Sequence, residues 1–452
     1  MRSSLPKVLH HVCGRPMVAW PALAAREAGA ERVCVIVSPT RDLSPGLPPG
    51  AETVVQEEAN GTGGAMRAAL DVIRSSPRVI VLSGDVPLIT ADTISALLET
   101  HTSQDAAATV LTYEMDDPSG YGRIVRDDDG DIVEIVETKH PEGLSDDVLA
   151  IAEINSGSYV FESAPFADAL CALGSDNEAG EYYLGDVLPI IREGGHRIVA
   201  HIASDPNVNL GVNNRADLAA ATIEARKLIL RRHMLAGVTI VDPASTWIDA
   251  DVTIEPDVTI EPGTYLRGST SIGRDSIVGP QVTAIDSTIG EGSKVLHAYL
   301  SEAAVGNHCS VGPFAYLRPG AKLGDGAKVG TFVEVKNSEL GEGAKVPHLS
   351  YVGDADIGAG ANLGAGTITA NYDGFEKNRT TIGEGARISV NTSLVAPVDV
   401  GDGAYTGAGA VIREDVPPGA LAVSKGEQRT IEGYTERKSA KAKNDSGGNE
   451  NS

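Results

Sequence analysis

A six-residue period takes over this chain after Gly237 and limits what it can fold into more than any other feature. Ile254, Ile260, Leu266, Ile272 and Val278 fall six apart, as do Val305, Val311, Leu317, Leu323 and Val329. Ile382, Ile388, Leu394, Val400 and Ile412 continue the pattern, with Thr406 filling one step. Glycine follows many of these positions. An aliphatic residue, glycine and small or polar residues repeated every six positions describe the coils of a parallel β-helix. Each side of a coil gives one aliphatic side chain to a narrow core, and glycine or asparagine turns the corner. One coil buries too little to stand alone, so the coils must stack. Glycine-rich disorder does not account for aliphatic spacing that holds through several long stretches.

Two segments break the period. GTITANYDGFEKNRTTIG runs out of phase and predicts a projecting loop. From Arg437 the tail RKSAKAKNDSGGNENS has no apolar anchor and predicts disorder.

The first half reads differently. Short apolar runs, VCVIV at 33–37 and VIVLSGD at 79–85, alternate with helical patterns. Runs without alternation predict strands of a parallel sheet covered on both faces, hence a layered α/β domain. In NNRADLAAATIEARKLILRRHMLAG, Leu218, Ala221, Ala225, Leu228 and Leu235 recur at helical spacing and predict a single linking helix. At 452 residues two domains are expected. The boundaries are set at 1–215 for the α/β domain, 216–236 for the helix, 237–436 for the β-helix and 437–452 for the tail.

A net charge of −25 argues against general binding to nucleic acid or membrane surfaces, because the field of the whole molecule repels polyanions. Phosphorylated substrates would have to be met by local basic clusters or a metal ion. No apolar run reaches the roughly 18 residues of a membrane span, and no signal-peptide pattern opens the sequence, so a cytoplasmic protein is expected. Cys13, Cys34, Cys171 and Cys309 have neither metal-ligand nor disulfide spacing and read as buried free thiols in a reducing compartment.

The residues suited to chemistry are few. Asp85 ends a predicted strand, where α/β sheets place ligands. It reads equally as a Mg²⁺ ligand or as a turn or capping carboxylate. Lys7, just past a proline in LPKVLH, reads as a phosphate contact leading into a helix, or as a solvated lysine. QEEANGTGGAM at 56–66 offers glycine at a helix start for a close backbone approach to a base or phosphate. In the β-helix, His348 carries an imidazole, a side chain suited to removing a proton from an amine. Arg318 and Lys336, eighteen residues apart, are expected to stack on one face and hold a phosphate against the overall charge. Surface charges of ordinary coils are the alternative.

Taken in order, LPKVLH, QEEANGTGGAM, LSGDVPL, DPSGYGRIVR, EIVETKH, EINSG, GEYYLGD and GVNNR resemble the nucleotidyltransferase half of a known family. It is the bifunctional N-acetylglucosamine-1-phosphate uridylyltransferase / glucosamine-1-phosphate N-acetyltransferase family. RPGAKLGDGAKVGTFVEVKNS, HLSYVGDADIG, LGAGTITANYDG and LVAPV are similar to its acetyltransferase half. The resemblance covers all but the tail. It implies a Rossmann-like first domain and a left-handed parallel β-helix assembled as a homotrimer. It also implies two reactions on small molecules. Acetyl passes from acetyl-CoA to glucosamine 1-phosphate, and the product is then coupled to UTP with Mg²⁺, releasing pyrophosphate and UDP-N-acetylglucosamine for cell-envelope synthesis.

Carried over by position, the resemblance makes Asp85 and Asn213 the Mg²⁺ ligands and Lys7 a phosphate contact. Gln56, Gly61 and Thr62 surround the uracil, and Gly122, Glu137 and Asn155 bind the amino sugar. His348 is the general base. Arg318 and Lys336, with Tyr351 and Asn362, bind the sugar phosphate, and Asn371 and Tyr372 contact substrate from the loop. Ala365, Ser389, Ala408 and Lys425 fall at acetyl-CoA.

Three departures stand out. Ser389-Val390 replaces a Gly-Ser pair, and Lys425 replaces an arginine, keeping charge but losing its bidentate fork. The family opens with a strand and Leu-Ala-Ala-Gly-x-Gly-Thr-Arg-Met, and Met1 aligns with that closing methionine. On this reading Lys7 is the second half of a triphosphate element whose first half is missing, so weak uridylyl transfer and an unstable first domain are expected. The readings to separate are therefore the bifunctional enzyme, an acetyltransferase alone, and a non-catalytic sugar-nucleotide-binding scaffold.

Overall fold

The computed structural model describes residues 1–128, 130–138, 143–174, 180–203, 205, 209–424, 426, 428 and 430–439. It divides into two compact units. One holds Met1–Ser271 with Thr283–Asp286, and the other Ile272–Val282 and the chain from Ser287 onward.

The first unit is built on a six-stranded sheet. The long strand Glu153–Glu162 is antiparallel to Ala108–Glu114, Arg123–Arg126 and Arg78–Val81. Arg123–Arg126 carries Ile132–Val136 at its other side, and Ala108–Glu114 carries Ile198–Ile202 in parallel. Helices cover both faces. Phe161, Phe166, Leu170 and Leu188 fill one side and Ile94, Leu97, Leu111 and Ile154 the other, all fully buried. The layered α/β architecture is thus the expected one, but two details differ. Among the described residues the sheet is mostly antiparallel, and Cys34–Val37 and Arg78–Val81 are only half-buried. Among the described residues each has a strand on one side only: Glu52–Val55 beside Cys34–Val37, in a separate two-stranded sheet, and Glu153–Glu162 beside Arg78–Val81.

The predicted linking helix is Arg215–Leu235. Asn214 caps it by accepting from the backbone N–H groups of Ala216 and Asp217, while Asp217 Oδ2 accepts from the N–H of Asn214. Its buried stripe runs through Ala221, Ala225, Ile229, Leu230 and His233. Leu228 and Leu235, expected on that face, are 42% and 73% exposed. Leu228 precedes Ile229 by one step of about 100°, which turns it off the stripe. The helix packs on the first coils of the same unit: Arg226 lies over the Trp247 ring at 4.5 Å, and Arg232 donates to the carbonyl of Ala250 at 3.3 Å.

In the second unit the strands before the loop pair in parallel with partners sixteen to eighteen residues on, as in Val295 with Val311, Val329 with Val346 and Leu317 with Val335. Three sides therefore close one coil of a left-handed parallel β-helix. Every repeat aliphatic named above from Ile260 to Ile412 is at most 5% exposed, and Thr406 is 4% exposed; only Ile254 is half-buried. The out-of-phase stretch does project. Across it the pairing interval lengthens, Asn362 facing Arg387, and Phe375 at the loop tip is 92% exposed. Residues 434–439 are helical, so the predicted tail begins ordered at 437–439, and 440–452 lie outside the described residues.

Of the cysteines, all free, Cys13 and Cys309 are buried, but Cys34 is half-buried and Cys171 is exposed. Cys171 sits on the outer side of the helix Ser163–Ala172, whose buried face runs through Phe166 and Leu170. No helix among the described residues is long and apolar enough to cross a membrane.

Candidate active sites

Lys7 lies in a single 3-10 turn, Lys7–Leu9, behind Pro6. The α-helix expected to follow it starts only at Ala19, after a short hairpin pairing His11–Val12 with Arg15–Pro16. The turn is held by the N–H of Val18 donating to the carbonyl of Val8 at 3.0 Å. Asp85 follows the end of the strand Arg78–Val81, and its carbonyl accepts from the N–H of Val212 at 3.0 Å. That bond brings Asn213 alongside, and the helix-capping Asp217 fixes it by accepting its N–H at 2.8 Å.

Local structure from three distant stretches thus converges on one point. Lys7 Nζ is 2.5 Å from Asp85 Oδ2 and 3.2 Å from Asn213 Oδ1. Lys7 and Asp85 side chains are each about one-third exposed, open to a ligand yet partly shielded from screening. One carboxylate and one amide oxygen face a single cation here, which is the hard-oxygen donor set suited to Mg²⁺ completed by phosphate oxygens. Asp85 and Asn213 fit that ion. Among the described residues no group of three or more His, Cys, Asp or Glu forms a metal cage.

The loop at 56–61 is folded on itself: Gln56 Nε2 donates to Asn60 Oδ1 at 3.0 Å and to the carbonyl of Gly61 at 3.1 Å. Gly61 has φ +96°, and a Cβ there would lie 2.5 Å from the carbonyl oxygen of Tyr182, so only glycine fits. Thr62 Oγ1 accepts from the N–H of Leu184 at 3.0 Å. The predicted sugar-binding set also assembles. Gly122 accepts from the N–H of Asn155 at 2.9 Å, and a Cβ on Gly122 would fall 3.5 Å from Glu137 Oε1 and 3.7 Å from Asn155 Cβ. Asn155 is oriented by donating to Tyr159 Oη at 2.7 Å and accepting from the N–H of Gly157 at 2.9 Å.

In the β-helix, Arg318 and Lys336 do stack one coil apart. The N–H of Arg318 donates to the carbonyl of Val335, beside Lys336, and Glu334 pairs in register with Tyr351 one coil further. Arg318 Nη1 bonds Glu334 Oε1 at 2.8 Å. Lys336 Nζ lies 3.5 Å from Asp354 Oδ2, on side chains 19% and 8% exposed. Asn371 donates to the same Oδ2, and Asn337 donates to Oδ1 at 2.6 Å. Burial raises the Asp354 pKa, but Asn337, Asn371 and Lys336 outweigh it and hold the carboxyl below its ordinary range.

His348 ends the strand Lys345–His348 with its side chain exposed, and Asn362 pairs with Lys345 on the next coil. Among the described residues no hydrogen bond joins His348 to Arg318, Lys336 or Asn371. Tyr372 Oη donates to the carbonyl of Gly374 at 2.8 Å within the loop.

The predicted coenzyme contacts meet at one corner of successive coils. The N–H of Asn391 donates to the carbonyl of Ala365, and that of Gly409 to Val390. A Cβ on Gly364 would sit 2.7 Å from the carbonyl carbon of Ser389 and the nitrogen of Val390. Ser389 and Ala365 are half-buried, Val390 and Ala408 exposed. Lys425 lies outside the described residues.

Sequence reasoning passed over Glu334 and Asp354, the carboxylates that hold the two cations. A signal was present: Asp354 follows Lys336 by the same eighteen residues that separate Lys336 from Arg318.

Comparison with known proteins bears on both units. Residues 1–178 match the model of the MobA-like NTP transferase domain, and residues 302–337 that of the bacterial transferase hexapeptide (six repeats). The chain is 47% identical over 450 residues to the Bifunctional protein GlmU of Corynebacterium efficiens, covering 97% of this chain and 91% of that protein. To the protein of that name from Streptomyces avermitilis it is 48% identical over 445 residues, covering 97% and 92%. To that from Mycobacterium bovis it is 46% identical over 448 residues, covering 97% and 90%. Similarity that runs through both units favours two activities over an acetyltransferase alone or a scaffold. The chain belongs to the family of bifunctional GlmU proteins.

Proposed function

We propose that this protein makes UDP-N-acetylglucosamine in two steps, acetyl transfer to glucosamine 1-phosphate and then uridylyl transfer to the product. The observation that carries the reading is the convergence of Lys7, Asp85 and Asn213, three separate stretches of the first 213 residues, around the Lys7 ammonium.

In the β-helix, His348 takes a proton from the amine of glucosamine 1-phosphate as its nitrogen attacks the thioester carbonyl of acetyl-CoA. The C–S bond breaks, and the coenzyme thiolate leaves and is protonated. Arg318 and Lys336 hold the sugar phosphate, with Tyr351 and Asn362 at the sugar. Asn371 and Tyr372 lie toward the developing oxyanion. Ala365, Ser389, Ala408 and Lys425 contact the coenzyme.

In the α/β unit an oxygen of N-acetylglucosamine 1-phosphate attacks the α-phosphorus of UTP in line, and the bond to pyrophosphate breaks. Such a transfer depends on positioning and charge neutralisation more than on covalent help. Lys7 faces the triphosphate, Gln56, Gly61 and Thr62 the uracil, and Gly122, Glu137 and Asn155 the amino sugar. Asp85 and Asn213 would hold Mg²⁺, which when bound offsets the charge of the phosphates.

A homotrimer is supported by an exposed apolar ladder on the β-helix. Phe314 and Phe332 stack at 5.4 Å, His297 meets Phe314 at 5.5 Å, and Leu349 is 60% exposed. The substrates are soluble sugar phosphates and nucleotides, which fits a cytoplasmic setting and supply of sugar nucleotide to cell-envelope synthesis.

The test is to supply glucosamine 1-phosphate, acetyl-CoA, UTP and Mg²⁺ to the purified protein. Free thiol and UDP-N-acetylglucosamine should both form; absence of either removes the corresponding half of the proposal.

A further inference from the structure

Asp354 stands out among the groups that the mechanism above does not use. It is a carboxylate only 6% exposed, at a corner of the β-helix with φ +50°. Its backbone N–H donates to the carbonyl of Lys336 at 3.0 Å, which sets it directly against that residue's coil. Its side chain is fully occupied: Oδ1 accepts from Asn337 at 2.6 Å, and Oδ2 accepts from Asn371 and faces Lys336 Nζ at 3.5 Å.

Asp354 also grips the projecting loop at both ends. Its side chain accepts from Asn371, where the loop leaves the coil, and its carbonyl accepts from the N–H of Thr380, where the chain rejoins it, at 3.1 Å. Between these points the loop closes on itself, Asn378 N–H to the carbonyl of Asn371 at 2.7 Å and Asp373 Oδ1 to the N–H groups of Phe375 and Glu376. The direction of Tyr372 therefore depends on where Asn371 is pinned.

We propose that Asp354 is a positioning residue for acetyl transfer, locking the phosphate-binding Lys336 and the loop that carries Asn371 and Tyr372 into one fixed arrangement. This rests on the reading of Lys336 and Asn371 as substrate-binding residues. The chemistry requires a carboxylate. Three donors converge on it, two amide NH₂ groups and an ammonium, and only an acceptor-only group can serve all three. An asparagine at 354 would turn an NH₂ toward one of those donors and leave Lys336 without its counter-charge.

The experiment measures acetyl transfer by full-length Asp354→Asn, Lys336→Met, Asn371→Ala and the Asp354→Asn/Lys336→Met double variant, with thermal melting of each. The KM for glucosamine 1-phosphate should rise by about tenfold or more in D354N, while that for acetyl-CoA stays within about twofold. On the K336M background, D354N should raise the sugar-phosphate KM by a smaller factor than it does alone, because the part of its effect that passes through Lys336 is already lost and only the part through the loop remains. A merely structural role would raise both KM values and give additive losses, which overturns the proposal. If D354N does not fold, Asp354→Ser, which removes the charge but keeps a small acceptor, is read in the same way. Failure of both variants to fold also overturns the proposal. If D354N is neutral while K336M and N371A lose affinity for the sugar phosphate, Asp354 has no positioning role and the site reading survives. If K336M and N371A are themselves neutral, it is the site reading that fails.

Discussion

The ammonium of Lys7 lies 2.5 Å from Asp85 Oδ2, joining an opening turn to the end of a strand seventy-eight residues later. Without phosphates present, the lysine and the carboxylate serve as each other's counter-ions. In the proposed reaction Lys7 would turn from Asp85 to the substrate phosphates, freeing the carboxylate to hold Mg²⁺ with Asn213. Lys7→Ala should therefore lower kcat/KM for uridylyl transfer by about a hundredfold and leave acetyl transfer unchanged. Pyrophosphate release from UTP and N-acetylglucosamine 1-phosphate, measured beside thiol release from acetyl-CoA, checks both parts.

Gly364 lies so close to the next coil that an added methyl would overlap the Ser389–Val390 peptide at 2.7 Å. The contact is with backbone, which cannot swing aside. Gly364→Ala is expected to destabilise the β-helix by about 1–3 kcal/mol and to raise the KM for acetyl-CoA more than that for glucosamine 1-phosphate. Denaturant melts and two-substrate kinetics test the pair of effects.

His233 gives the first unit an acid limit. It is 5% exposed on the inner face of the helix Arg215–Leu235, and its Nε2 has no hydrogen-bond partner among the described residues. Burial, aided by Arg232, lowers its pKa from the ordinary 6.5 to about 4. Between these values the unfolded chain takes up a proton that the folded ring refuses. Stability from this group is therefore complete above pH 6.5 and falls as pH drops toward 4, by up to about 3 kcal/mol. Urea midpoints measured across that window should decline with acidity, and His233→Leu should flatten the decline.

The four thiols should separate by reactivity. Burial, with the carboxylate of Asp249 beside it, pushes the Cys13 thiol up to about 12, and burial raises Cys309 as well. Cys171 is exposed. A thiol reagent added to the folded protein should label Cys171 first, and Cys13 and Cys309 only after denaturation. Cys171→Ser should remove the fast phase.

Much of this was legible in the sequence, for identifiable reasons. A narrow β-helix core admits one aliphatic side chain per side, so Val311, Leu317 and Val329 declared their burial by spacing alone. The same regularity placed Arg318 over Lys336. The carboxylates that restrain these cations were not legible. Glu334 and Asp354 belong to a residue type that usually faces solvent, and only the pairing of coils reveals what they face. In the α/β unit, the runs at 33–37 and 79–81 are apolar enough for a covered sheet, yet among the described residues each has a single neighbouring strand, and both stay half-exposed. Apolar composition reports a strand's propensity; it does not report how many neighbours the strand has. Leu228 and Leu235 misled for a related reason, since helical spacing from Leu218 fits more than one stripe.

The central claim is that one chain carries two sites that work independently, acetyl transfer on the β-helix and uridylyl transfer on the α/β unit. The direct measurement is to assay both half-reactions in the parent, His348→Ala and Asp85→Asn proteins. H348A should lose acetyl transfer by about 10²–10⁴-fold, with the KM for glucosamine 1-phosphate little changed, and keep full uridylyl transfer from N-acetylglucosamine 1-phosphate. D85N should show the reverse. Loss of both activities in either variant, or failure of the parent to release pyrophosphate from UTP and N-acetylglucosamine 1-phosphate, would contradict the account.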